Sequence, residues 1–148
     1  MVSATNFAEA KAIEAAGIDI IVAQGIEAGG HRGIFSTKFD ASVKTSNLVK
    51  LIRQHSSLPV VAAGGIMDGQ QARLMLDFGA ETVQLGTAFV QCKSSNANED
   101  YRKALLSKPL TQVSASISGR PARGIINHWH MDVDTPDRLD VPAYPYTY

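Results

Sequence analysis

Three short strand-forming segments, each reached through a stretch with helical spacing, constrain this chain more than any other feature. They are IDIIVA (18–23), LPVVAAGG (58–65) and ETVQLGTAFV (81–90). The first two are apolar on consecutive positions rather than alternate ones. A strand of that kind is covered on both faces, which is the condition of a parallel sheet. The order helix, strand, helix, strand, helix, strand then implies βα units joined by right-handed crossovers. The predicted class is α/β with a parallel sheet. Three such strands cannot close a barrel, which takes about eight.

The helices carry their own signals. Asn6 is the expected N-cap of the first, with Glu9 three residues on as in a capping box, and Phe7, Ala10, Ile13 and Ala16 form its stripe. Gly17 is its expected stop. Thr45 or Ser46 is expected to cap the second helix, whose apolar stripe is Leu48, Val49, Leu51 and Ile52. Asp68 is expected to cap the third, GQQARLMLDF, and Gly79 to close it. Between the first strand and the second helix lies a loop of roughly twenty residues, long enough to suggest a functional one. The segments AGIDIIVAQG and FGAETVQLGT also echo one another, as a weakly repeated βα unit would.

After Val90 the character changes. KSSNANED reads as a loop, DYRKALLS as a short helix, and TQVSASISGRPARG as a strand followed by a Gly/Pro turn. The proline-rich tail DTPDRLDVPAYPYTY reads as extended.

Composition excludes several functions. Fourteen basic residues balance fourteen acidic ones, so no net field favours nucleic acid or an anionic membrane. The apolar runs are far shorter than the ~20 residues of a membrane span. The first residues do not read as a signal peptide, and the single cysteine, Cys92, fits a reducing compartment such as the cytoplasm, with an organelle not excluded. Cys92 itself reads as a small buried hydrophobe.

The chemistry is expected where the strands end. VAQGIEAGG, VVAAGG and VQLGT each place glycine just past the carboxyl end of a strand, the rim where α/β folds bind ligands. Glycine there lets backbone N–H groups face an anion, and GGIMDG also precedes a helix N-terminus. Neither the dinucleotide fingerprint nor the P-loop occurs, so one phosphate shared by AAGG and QLGT is the better expectation. Thr87 could add a hydroxyl, and Gln24 and Gln84 could bond the polar edge of a ligand ring. His31, in EAGGHRG, is the candidate for proton chemistry, because imidazole titrates near neutral pH. Arg32 beside it reads as solvated or structural. His128 and His130 would share a strand face and read as structural rather than metal ligands.

The segments VAQGIEAGGHRG, LPVVAAGGIMDGQQARLMLDFGAETVQLGTAFV and SGRPARGIIN together resemble the nitronate monooxygenases, formerly 2-nitropropane dioxygenases. The resemblance implies flavin mononucleotide (FMN) on a TIM barrel with a smaller added domain. It implies that residues 1–92 are the last three strands of that barrel, beginning at about the end of the preceding strand, and that 93–148 belong to the smaller domain. Gly64, Gly65, Gln84, Leu85, Gly86 and Thr87 would match phosphate-binding positions, and Gln24, Gly29 and Gly30 would match further flavin contacts. His31 would match the catalytic histidine, with no metal. The implied reaction is oxidation of alkyl nitronates or nitroalkanes by O2. Two alternatives accompany it: a flavin-dependent enoyl-acyl-carrier-protein reductase, or a truncated chain without catalysis of its own. A homo-oligomer or a complementing N-terminal half would cover the bare sheet edges.

Overall fold

A computed structural model describes residues 1–133, 135, 137 and 142; the conformation expected for the proline-rich tail falls outside them. Its elements in chain order are β1 (Val2–Ala4), α1 (Phe7–Ala15), β2 (Ile21–Gln24), β3 (Gly30–His31), α2 (Thr45–His55), β4 (Val60–Ala63), α3 (Gly69–Asp77), β5 (Thr82–Gln84), α4 (Glu99–Leu106), β6 (Thr111–Ser114), β7 (Ala122–Ile125) and α5 (His128–Val133). They form two compact units, one of residues 1–28 and 33–89, the other of 29–32 and 90–148.

The first unit is a sheet in the order β1-β2-β4-β5, parallel throughout. It is the α/β class expected, an arc of a (β/α) barrel. β1 has only three residues, too few for periodicity to reveal it. Register divides the side chains of the sheet between two faces. Ala4, Ile21, Ala23, Val60 and Ala62 join Ala10, Ile13, Leu48, Val49, Ile52 and Met75 from the three helices in the main core. Each large aliphatic group buried there contributes about 1.5–3 kcal/mol. Val22, Val61 and Ala63 make a second, smaller cluster on the opposite face.

The helix ends follow local rules, with one exception. Asn6 Oδ1 accepts the Glu9 N–H at 3.0 Å, and Asp68 accepts the Gln71 N–H at 2.8 Å. Gly17 and Gly79 close α1 and α3 at φ +72° and +100°, a region open to glycine without penalty. The Glu9 carboxylate does not complete a capping box on Asn6. It accepts from Thr5 N (2.7 Å), Thr5 Oγ1 (2.8 Å) and Phe35 N (2.8 Å). The exception is α2. Its N-cap is Lys44, without a side-chain bond, and Thr45 is its first helical residue. The hydroxyl of Thr45 is used elsewhere, as described below.

The third strand is shorter than expected. β5 stops at Gln84, and Thr87–Phe89 forms a 3-10 turn. β5 is the edge of the sheet, and Thr82 and Gln84 are exposed.

In the second unit, β3 pairs antiparallel with β7, and β7 with β6. The long loop expected before α2 thus holds a strand at His31. Asn98 caps α4 by accepting the Tyr101 N–H at 2.8 Å. Arg102 on α4 organises the preceding loop, donating from Nε to Ala97 O (3.0 Å), from Nη1 to Cys92 O (3.0 Å) and from Nη2 to Ser95 O (2.5 Å). Cys92 is exposed, not a core residue, and the polar segment KSSNANED follows it. His128 and His130 lie on a helix rather than a strand, so residues two apart diverge. His128 is exposed, while His130 is buried with Nδ1 2.9 Å from Asn127 Oδ1.

Candidate functional site

Within the first unit, register places Gln24 opposite Ala63 and Ala63 opposite Gln84. Residues paired in a parallel ladder share a face, so the two glutamines of the sequence echo flank Ala63 in one row. That row is the last of the sheet, at the carboxyl ends of β2, β4 and β5, on the face turned from the helices. Gln24 Oε1 accepts the Gly33 N–H at 2.7 Å and so ties the returning loop to the strand end.

Gly64 and Gly65 follow β4 with φ +112° and +70°. A Cβ on Gly64 would stand 2.8 Å from Ala28 N, and one on Gly65 would stand 2.9 Å from Glu27 Cβ. Both positions therefore need glycine for conformation and for space. Gly86, after β5, differs. A Cβ there would meet nothing within 4 Å among the described residues, so none of their atoms explains the missing side chain. Leu85 packs against the main core, which leaves Gly86 and Thr87 at the rim.

The α3 N-terminus is a poorer anion site than GGIMDG suggests. Asp68 brings its own carboxylate to Gln71 N, and Gln71 Oε1 accepts the Met67 N–H at 2.6 Å. A phosphate there would face a carboxylate that already occupies the helix end. The glycine backbone is the better cradle.

Glu27, which the sequence did not single out, and Thr45, expected only as a helix cap, hold that cradle. Glu27 Oε2 accepts from Thr45 N and from Thr45 Oγ1, both at 3.0 Å. Thr45 Oγ1 also lies 2.9 Å from Gly64 O and 3.3 Å from Ala63 O.

Within the second unit, His31 sits on β3, paired with Ala122, and Gly30 precedes it at φ +77°. The imidazole is half-buried, with Nε2 2.8 Å from Ser118 Oγ. Ser118 belongs to the SGRPARG segment, and its hydroxyl was not anticipated. Arg32 is 1% exposed, and its N–H donates to Pro121 O at 2.8 Å. It is a buried structural residue, not a solvated one. Gly29 and Gly30 are exposed on the same short segment. Among the described residues no three His, Cys, Asp or Glu side chains cluster as metal ligands would, and no helix is long and apolar enough to cross a membrane.

Comparison with known proteins agrees with this layout. The family model described as nitronate monooxygenase matches residues 1–147. The chain is 50% identical over 151 residues to a nitronate monooxygenase of Pseudomonas aeruginosa, covering 100% of this chain and 43% of that protein. It is 47% identical to one of Paraburkholderia phytofirmans, covering 41% of it. The chain thus spans about two fifths of the length of these relatives. Among solved structures, nitroalkane oxidase from Streptomyces ansochromogenes superposes with a TM-score of 0.83 at 41% identity, over 88% of this chain and 39% of the other. FabK from Thermotoga maritima superposes with a TM-score of 0.74 at 30% identity, over 90% of this chain and 43% of the other.

Proposed function

Because this chain belongs to the nitronate monooxygenase family, we propose that it supplies the phosphate cradle and the proton-transfer group of a flavin-dependent oxidation of nitroalkanes or alkyl nitronates. The observation that carries the reading is the pair of strand ends after β4 and β5. Gly64 and Gly65 are held at positive φ, and the space beside Gly86 is open. Such a rim suits a phosphate monoester, which backbone N–H groups bind best where no side chain intervenes. FMN carries that group. Gly64, Gly65, Gln84, Leu85, Gly86 and Thr87 would hold it, with Gln24, Gly29 and Gly30 at the remaining flavin contacts.

Bound FMN would supply the electron transfer between substrate and O2. The chain's own part is proton chemistry. A nitro group acidifies the carbon beside it, and His31 takes that proton as a general base. The C–H electron pair stays with the substrate as the nitronate. A substrate that arrives as a nitronate needs no such step, so His31 serves there to orient the charged group. The higher identity to nitronate monooxygenases than to FabK favours this reading.

The test begins with FMN titrated into the purified chain, followed by flavin absorbance and by oligomeric mass. Nitronate-dependent O2 uptake is then set against NAD(P)H-dependent enoyl reduction. The expected result is bound FMN and O2 uptake, in the chain alone or with a complementing polypeptide. Enoyl reduction without nitronate turnover would overturn it. In the active assembly, His31→Asn should retain FMN and lower neutral nitroalkane turnover by roughly 10²–10⁴-fold, the usual loss of a general base. Unchanged turnover would remove His31 from the mechanism.

A further inference from the structure

The contact between His31 and Ser118 says more than that the two are near. Ser118 is 3% exposed, so its hydroxyl must find its partners within the protein. It has two: His31 Nε2 at 2.8 Å and the Arg120 carbonyl at 3.1 Å. A hydroxyl has one hydrogen to give. The carbonyl can only accept, so both contacts are satisfied together in one way. Ser118 donates to Arg120 O and accepts from Nε2–H of His31.

The backbone on either side is fixed. His31 is in register with Ala122, and Arg32 N–H donates to Pro121 O at 2.8 Å. The turn that carries Ser118 is closed by Gly119 N–H to Ala115 O at 2.9 Å, with Gly119 at φ +74°. Neither partner reaches the other by a flexible loop.

We propose that Ser118 is a positioning residue for His31, holding the neutral imidazole with its proton on Nε2 and its basic lone pair on Nδ1. The inference rests on the reading of His31 as the base. In the proton-transfer step Nδ1 takes the proton from the nitro-bearing carbon and the C–H electron pair remains on the substrate. The ring becomes imidazolium and still donates Nε2–H to Ser118. Ser118 is buried and acts through His31, by choosing the tautomer and the ring orientation.

The test is nitrogen NMR on the full chain labelled with 15N-histidine, with the His31 signals assigned by their loss in His31→Asn. At a pH where the ring is neutral, wild-type His31 should show a pyridine-like Nδ1 and a protonated Nε2. This measurement on the wild type does not depend on any change at Ser118. Ser118→Ala should move His31 toward a mixture of tautomers, and Ser118→Thr, which keeps the hydroxyl, should restore the wild-type pattern. In the active assembly, Ser118→Ala should lower kcat for a neutral nitroalkane by roughly tenfold, as for the loss of one hydrogen bond, with FMN retained. A wild-type proton on Nδ1, or a tautomer indifferent to Ser118→Ala, overturns the proposal whatever the activity. An Nε2–H tautomer that depends on Ser118, in a protein whose turnover ignores His31→Asn, upholds the pairing and overturns instead the role of His31 as base.

Discussion

Thr45 Oγ1 lies 3.0 Å from Glu27 Oε2 and 2.9 Å from the carbonyl oxygen of Gly64. One hydroxyl thereby joins the segment after β2, the glycine pair after β4 and the first turn of α2. The Thr45 N–H adds a second bond to the same carboxylate oxygen, which stands at the positive end of that helix. Gly25 lies against Thr45 so closely that a Cβ would collide with the hydroxyl and the backbone nitrogen.

Removing that hydroxyl should loosen the cradle. Thr45→Val keeps shape but removes the one hydroxyl hydrogen that the Glu27 carboxylate and the Gly64 carbonyl share. The expected cost is about 1–3 kcal/mol in urea unfolding. Thr45→Ser should recover most of it. FMN affinity should fall with Thr45→Val by more than with Thr45→Ser, read by flavin fluorescence. Equal affinity in both would show that the cradle stands without the latch.

Gly65 and Gly86 separate architecture from ligand. Gly65→Ala forces a side chain into positive φ, worth roughly 1–2 kcal/mol, and against Glu27 Cβ at 2.9 Å. Its melting temperature should drop. Gly86→Ala meets nothing within 4 Å and should leave stability within about 0.5 kcal/mol of the parent. Its effect should appear only in flavin binding. If Gly86→Ala binds FMN as well as the parent does, the phosphate is not held there.

Arg102 makes a prediction about the second unit alone. Its guanidinium donates to three carbonyls of the loop at 92–97, a forked pattern that one ammonium cannot copy. Arg102→Lys should cost about 1–2 kcal/mol and expose the loop to limited proteolysis. Cleavage rates no faster than those of the parent would count against this account.

Much of this was legible in advance because it is local. Asn6, Asp68, Gly17 and Gly79 do their work within four residues of their own helix ends, and a capping side chain needs no distant partner. The buried strands announced themselves because two covered faces demand apolar residues at every position. Where a side chain's partner lies far along the chain, the local signal misleads. Thr45 has the type of a cap residue, but its hydroxyl is committed to Glu27 and Gly64. Arg32 reads locally as solvated or structural, and only its burial in the fold decides for the structural reading. The polar face of β5 follows from its place at the sheet edge, which no window of residues contains.

By itself, then, the sequence determined the α/β class, the alternation of α1, β2, α2, β4, α3 and β5, and the glycine-rich strand ends that mark the rim. These depend on periodicity and backbone freedom, properties a short segment carries with it. The tertiary structure decided which side chains meet. It set Gln24 and Gln84 in one row across Ala63, grouped residues 29–32 with 90–148, and brought Ser118 to His31 across 87 positions of chain. A hydrogen bond forms between atoms that folding brings within about 3 Å. Its partner, unlike a residue's preference for helix or strand, is therefore a property of the fold.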